Sequence, residues 1–390
     1  MSARSKSRKA TAFLLILPLL AFIGAFFVWP LATILVEAVS DASVSNTLPR
    51  TAAVLREWDK QGLPPEAAGE ALVTDIRNNS DAQALGDVVR RLNSAQPGFR
   101  TLMNKTVLAV TGQPEAIDLA AIDKRWSDVA FWRAIAVAAP PYTDRNLLAA
   151  LDLGRDANGA ITDLAGTESA NRAILIRTFA IAGMVTGACV VLGLPFAMIA
   201  ASSAGWRRQA MLGAVLLPLW TSLLVRTAAW YILLQDKGLI NDLLRLAGLG
   251  PVPLIFNRLG VVIAMTHVLL PFMVLPIYSV LIAIPGSLMP AAASLGANPV
   301  RAFLHVQLPL ALRGVASGAL LVFMSAIGYY ITPALIGGAR DQMISSVIAF
   351  YAIGSANWGM AAALGIVLLV VTTLLYAVYN RLSASPVSGA

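Results

Sequence analysis

Apolar and polar positions alternate along this chain in long blocks. Stretches 11–36, 173–201, 210–234, 259–284, 315–333 and 358–379 are apolar and contain no aspartate or glutamate. A hydrocarbon layer about 30 Å thick needs roughly 20 apolar residues of helix, so each stretch is predicted to cross a membrane once. The first follows Arg4, Lys6, Arg8 and Lys9, the charge pattern of a secretory leader. Its apolar run is longer than the roughly 7–15 residues of a leader, and it reads as an uncleaved anchor. The fold class predicted is an all-α membrane protein with six transmembrane helices.

Residues 37–172 break the pattern. Leu85, Val88, Val89 and Leu92 fall at the i, i+3, i+4, i+7 spacing of one helix face. Thr143 is placed to cap a helix carrying Leu147, Leu148 and Leu151. Trp58, Phe99, Trp126, Phe131, Trp132 and Tyr142 supply aromatics that a disordered linker would lack. This segment is expected to be a small soluble insert. Within it, Gly154 to Gly159 resembles the front of a calcium loop, with Asp156, Asn158 and Gly159 in register. The first and twelfth ligand positions are Gly154 and Ala165, which cannot bind the ion. Asn158-Gly159 reads as a hairpin turn instead.

Residues 285–314 form a second departure. Ser287 is placed to cap a helix beginning Leu288, Met289, Pro290, followed by Ala291, Ala292 and Ala293. Gly296 is placed for the left-handed position that ends a helix. Asn298 and Pro299 then restart one. Two short helices joined by a tight turn are expected, presenting Phe303 and Leu304 beside Arg301 and His305. The same pattern also suits an amphipathic hairpin lying on the bilayer.

Composition and charge narrow the picture. Apolar residues make up 57% of the 390 and charged residues only 13%, about half the usual charged share. Eighteen of the twenty-one acids lie between Glu37 and Glu168, leaving Asp236, Asp242 and Asp341. The net charge of +8 therefore reflects a basic membrane framework, and no nucleic-acid partner is expected. With the N-terminus cytoplasmic, segments 1–10, 202–209, 285–314 and 380–390 lie inside. They hold Arg4, Lys6, Arg8, Lys9, Arg207, Arg208, Arg301, Arg313 and Arg381 and no acid, as the positive-inside rule requires. Both termini are then cytoplasmic, and 37–172 is extracytoplasmic. The division expected is a basic N-terminus and anchor at 1–36, the insert at 37–172, a core at 173–382 and a tail at 383–390. Cys189 is the only cysteine and can form no internal disulfide.

The residues of 285–314 resemble the coupling-loop signature of permease subunits of binding-protein-dependent ABC importers (type I, MetI-like). That signature reads Glu-Ala-Ala-x3-Gly-x9-Ile-x-Leu-Pro. Here it is met by Pro290, Ala291, Ala292, Gly296, Val306, Leu308 and Pro309, with Pro290 in place of the glutamate. The resemblance covers roughly 172–382. It looks closest to the spermidine/putrescine branch through Leu217 to Arg226, Leu269 to Pro276 and Tyr330 to Gly338. It implies a six-span subunit of the bacterial inner membrane whose loop (Pro290, Ala291, Ala292, Gly296, Ala297, Arg301, Phe303, Leu308 and Pro309) inserts into a cytoplasmic ATPase. The implied partners are an ATP-binding subunit dimer, a second permease and an extracytoplasmic solute-binding protein. ATP and magnesium would be held by the partner ATPase.

Arg226 falls within an apolar stretch, as a pathway residue or as one snorkelling to the interface beside Trp230 and Tyr231. His267 is expected to hydrogen-bond between helices. Trp220, Trp230, Tyr329 and Tyr330 could offer cation–π faces to a polyamine, or belong to packing and the interfacial belt. The chain has no Gly-Lys-Ser/Thr phosphate loop and no His, Cys and carboxylate cluster, so it is not expected to be an enzyme. A secondary transporter would normally carry ion-coupling acids at midplane, and a sensor would need a cytoplasmic output domain.

Overall fold

A computed structural model describes residues 3–112, 118–155, 160–164, 170–355 and 357–383. They divide into two units, 1–148 and 149–390.

In the first unit, α1 (Ala3–Ile23) and α2 (Trp29–Val39) are joined by a π-turn at Gly24–Val28. The apolar helix Phe13–Val39 has no buried residue in its most apolar window and runs three residues beyond the expected end. The π-turn has a local cause. Pro30 has no N–H and its ring clashes with the carbonyl four residues back. The turn widens, and Trp29 N–H bonds to the Gly24 carbonyl instead.

Next come α3 (Ser43–Thr47), α4 (Pro49–Arg56), α5 (Glu66–Asn78), α6 (Ala82–Ala95), α7 (Phe99–Gly112), α8 (Leu119–Ile122), α9 (Val129–Ala138) and α10 (Arg145–Ala150). Asp81 caps α6 by accepting from Gln83 and Ala84 N–H. Val88, Val89 and Leu92 are buried on α6 and Leu85 packs beside them, as their spacing predicts. Thr143 Oγ1 accepts from Arg145 N–H at 3.2 Å, where α10 starts. The core centres on Phe99, Trp126, Phe131 and Trp132. Trp126 donates to Thr106 Oγ1 (2.9 Å) and Trp132 to the Trp126 carbonyl (2.8 Å). Trp58 joins this core, but Tyr142 is exposed. Tyr142 instead forms a backbone bridge with Ser40. Asp75, buried, takes Thr51 N–H and Oγ1, each at 2.8 Å, at the start of α4.

In the second unit, β1 (Leu153–Arg155) pairs antiparallel with β2 (Ile161–Asp163). The positions compared with a calcium loop, Asp156, Asn158, Gly159 and Ala165, lie outside the described residues. There follow α11 (Asn171–Ser202), α12 (Gly205–Trp220), α13 (Leu223–Leu233), α14 (Leu239–Leu246), α15 (Arg258–Ala283), α16 (Leu288–Ser294), α17 (Pro299–Ala302), α18 (Leu308–Gly328), α19 (Ile331–Ile336), α20 (Ile344–Ala349) and α21 (Trp358–Ser383).

Helices α11, α15 and α18 form the core of this unit, and glycines set their approach. A Cβ on Gly314 would stand 2.8 Å from Ile277 Cα, and one on Gly318 would stand 3.0 Å from the Met273 carbonyl oxygen. This four-residue spacing is the small-residue motif that lets membrane helices touch backbone to backbone.

Among the described residues, five helices are long and apolar enough to cross a membrane. The third expected span, 210–234, is not one straight helix. It is α12 and α13, bent by 101°. Thr221 and Ser222 between them are extended. Thr221 Oγ1 donates to the Pro218 carbonyl at 3.0 Å, a side-chain bond that competes with continuing the helix. The fifth expected span, 315–333, is also shifted. The apolar helix runs Pro299–Gly328, and Tyr329, extended, ends it before Pro333.

Candidate functional site

The 285–314 segment is built from its end signals. Leu295 ends α16, and Gly296 follows at φ +86°. Gly296 N–H bonds to the Ala293 carbonyl at 2.9 Å and Ala297 N–H to the Ala292 carbonyl at 3.1 Å. Those two bonds define a Schellman motif, which a left-handed glycine permits without strain. Asn298 then caps α17, its side chain accepting from Arg301 N–H at 2.7 Å, with Pro299 at the first position.

Two expectations fail here. Ser287 stands before α16 but makes no side-chain cap bond. The second helix is not short: α17 passes through a π-turn at Phe303–Gln307 directly into α18. The cause repeats that at Pro30. Pro309 cannot donate, and Leu308 N–H reaches back five residues to the Phe303 carbonyl.

The hairpin presents a mixed face. Pro290, Ala291, Gly296, Arg301 and Pro309 are exposed, and Ala292, Ala297, Phe303 and Leu308 are half-buried. The most prominent apolar groups are Leu295, 89% exposed, and Val300, 65% exposed, at the tip, with Leu304 behind them. Leu295 and Val300 are the residues that reasoning from the sequence missed. Their signal was position, since each lies within four residues of the left-handed glycine.

The pathway candidates divide into groups. Arg226 reaches back across the α12–α13 break, donating to the Thr221 carbonyl at 2.7 Å and Thr221 Oγ1 at 3.2 Å. Its guanidinium thus occupies the negative end of α12. Trp230 donates to His267 Nδ1 at 3.1 Å, bonding α13 to α15 as expected of that histidine. Thr227 and Thr332, both buried, join α13 to α19 through their hydroxyls at 3.2 Å. Trp220 is 85% exposed at the end of α12. Tyr329 is half-buried and Tyr330 exposed, in the break between α18 and α19. Their carbonyls accept from Ser345 (2.8 Å) and Ser346 (3.3 Å). Two of the acids outside the insert pair with arginines: Asp341 with Arg258 at 3.0 Å and Asp242 with Arg245 at 3.2 Å. No group of three or more potential metal ligands is found among the described residues.

Comparison with known proteins adds to this geometry. Residues 193–386 match the family described as binding-protein-dependent transport system inner membrane component. The spermidine/putrescine transport system permease protein PotB of Escherichia coli is 34% identical over 212 residues, covering 54% of this chain and 77% of PotB. The inner membrane ABC transporter permease protein YdcU of Escherichia coli is 33% identical over 229 residues, covering 55% and 73%. A solved bacterial alginate ABC transporter, in complex with an alginate pentasaccharide-bound periplasmic protein, gives a TM-score of 0.45 at 18% identity. That alignment covers 55% of this chain and 78% of the other. The chain therefore belongs to the binding-protein-dependent transport system inner membrane components, as a multi-pass inner-membrane permease subunit of an ABC importer close to the polyamine permeases.

Proposed function

We propose that the hairpin from Pro285 to Gly314 receives the stroke of a cytoplasmic ATPase, and that the chain passes a small solute to the cytoplasm. The observation carrying this reading is the hairpin tip. Leu295, Val300 and Leu304 stand exposed on a turn fixed by Gly296 and Asn298, and no acid lies in the segment. Ala291, Ala292 and Ala297 allow another backbone to approach closely. Pro290, Arg301, Phe303, Leu308 and Pro309 complete the proposed coupling surface. Both termini and this hairpin are assigned to the cytoplasmic side by their basic residues. The six-crossing count, with α12 and α13 taken together, belongs to the same reading, as does the placement of the insert 37–172 outside.

The complex would contain an ATP-binding subunit dimer carrying ATP and magnesium, a second permease subunit, and a soluble extracytoplasmic binding protein. The names of the polyamine relatives make a polyamine the first solute to try. Trp220, Arg226, Trp230, Tyr329 and Tyr330 are the proposed pathway set. No carboxylate lies in an apolar stretch, which suits a pathway that leaves tight recognition to the binding protein.

The test is uptake by the assembled complex with Leu295→Glu or Val300→Glu. Both positions are exposed, so the chain should reach the membrane at its usual level while uptake and solute-stimulated ATP hydrolysis are lost. Uptake that survives both changes would refute the hairpin's role. Binding protein loaded with polyamines, amino acids or sugars, compared for ATPase stimulation, identifies the solute class.

A further inference from the structure

The broken third crossing assigns α13 and α14 a different relation to the membrane. Helix α12 has 16 residues and rises about 24 Å from its inner end at Gly205. His267 lies 16 residues along α15 from Ala283, also about 24 Å from that helix's inner end. The inner ends are neighbours, since Ser202, Leu281 and Ile284 line one cavity. Trp220, at the end of α12, and the Trp230–His267 bond, near the far end of α13, thus fall at about one height. A height of about 24 Å along each helix, set against a hydrocarbon layer about 30 Å thick, falls in the third farthest from the 285–314 hairpin. The 101° turn from α12 is what that requires.

The side chains follow the same plan. On α13, Leu224, Val225 and Ile232 are exposed. On α14, Ile240, Asn241 and Leu244 face inward, with Asn241 fully buried and bonded to both N–H and C=O of Val252 (2.8 and 3.1 Å). Leu239, Leu243 and Leu246 form an exposed stripe at i, i+4, i+7, with Leu246 84% exposed. Beside the stripe runs a charged edge, the Asp242–Arg245 pair, with Arg245 also donating to the Asp236 carbonyl at 3.0 Å. A leucine stripe flanked by a charged edge is the pattern of a helix lying in the interfacial plane. Only residues 234–238 separate this stripe from α13, in a turn closed by Gly238 N–H on the Gln235 carbonyl at 2.8 Å.

We propose that α13 and α14 form a platform lying flat in the leaflet opposite the hairpin, its leucine stripe seated in acyl chains and its charged edge among headgroups. Tyr231, edge-on to Phe256 at 6.2 Å, marks its level as interfacial aromatics do. The occupant of this face is lipid. This concerns membrane geometry and stands or falls separately from import activity.

The test is depth measurement on the full chain within its complex in lipid nanodiscs. Nitroxides are attached to Leu224→Cys, Ile232→Cys, Asp242→Cys, Leu243→Cys or Leu246→Cys; native Cys189 is fully buried. Accessibility to oxygen is compared with that to a water-soluble nickel chelate. The expected result is equal depth at 224 and 232, lipid contact at 243 and 246, and water contact at 242. A crossing helix would instead separate 224 and 232 by about 12 Å in depth, which would overturn the proposal. So would labels at 243 and 246 that meet water freely, or that are shielded from both reagents by a protein partner.

Discussion

At the residue scale, single polar groups hold ends that no local pattern announces. Asp152, at φ +57°, accepts from Asn171 N–H at 2.8 Å and Arg172 N–H at 2.9 Å. It caps α11 from nineteen residues away, where the adjacent Ala170 makes no side-chain bond. Replacing a capping aspartate with alanine costs about 0.5–2 kcal/mol. Asp152→Ala should therefore lower the melting temperature of the purified chain and open the start of α11 to hydrogen exchange. Unchanged exchange at 171–174 would refute the cap. Asp123 gives a pH signature. Hydrogen bonds from the Arg125 side chain, chiefly, and from its backbone N–H, with Lys105 adding another, hold the Asp123 carboxyl well below the usual carboxylate range. A depressed folded pKa stabilises the fold above the unfolded value of about 3.9, and that contribution fades as pH falls below it. Thermal melts from pH 6 down to about 2.5 should show this acid limb, and Asp123→Asn should flatten it. An identical limb in the variant would place its origin elsewhere.

At the scale of elements, proline and glycine decide more than hydrophobic periodicity does. Trp29-Pro30 and Leu308-Pro309 each widen one turn of helix into a π-turn by the same clash. The second of these makes the hairpin's outgoing limb and the following membrane helix one element. Reading the Leu-Pro pair as a loop end placed the fifth span sixteen residues late, because a proline near a helix start does not stop it. Gly314 and Gly318 let α18 meet the α15 backbone. Gly314→Leu cannot be relieved by a rotamer, since the nearest atoms are backbone. Overpacking of this kind typically costs about 1–3 kcal/mol. The variant should aggregate on detergent extraction, read by fluorescence-detected size exclusion. A normal monodisperse peak would mean that α15 and α18 part without penalty.

At the scale of the whole molecule, the two ends of the 40–142 segment, between the first and second apolar helices, meet. Asp41 N–H bonds to the Pro141 carbonyl at 2.9 Å and Thr143 N–H to the Val39 carbonyl at 2.8 Å. The chain thus enters and leaves the 40–142 segment at one point, around a core of its own. Segments whose ends meet are tolerated as insertions because the host sees only a short connection. Removing 41–141 and joining the ends through a few glycines and serines should leave the membrane-inserted level near that of the full chain. Loss of the protein from the membrane would show that the segment is needed for assembly.

Hydropathy alone located the five long apolar helices of the described residues to within three residues at eight of their ten ends, since burying twenty apolar residues in lipid outweighs local detail. End signals also placed the hairpin turn, because Gly296 and Asn298 act through bonds to residues within five positions. What only the tertiary structure decided depends on groups distant in sequence or on direction. Arg226 turning back to close α12, Trp230 reaching His267, Asp152 capping α11, and the 101° bend are of this kind. A hydropathy window sums transfer free energy along the chain and carries no information about where the helix axis points.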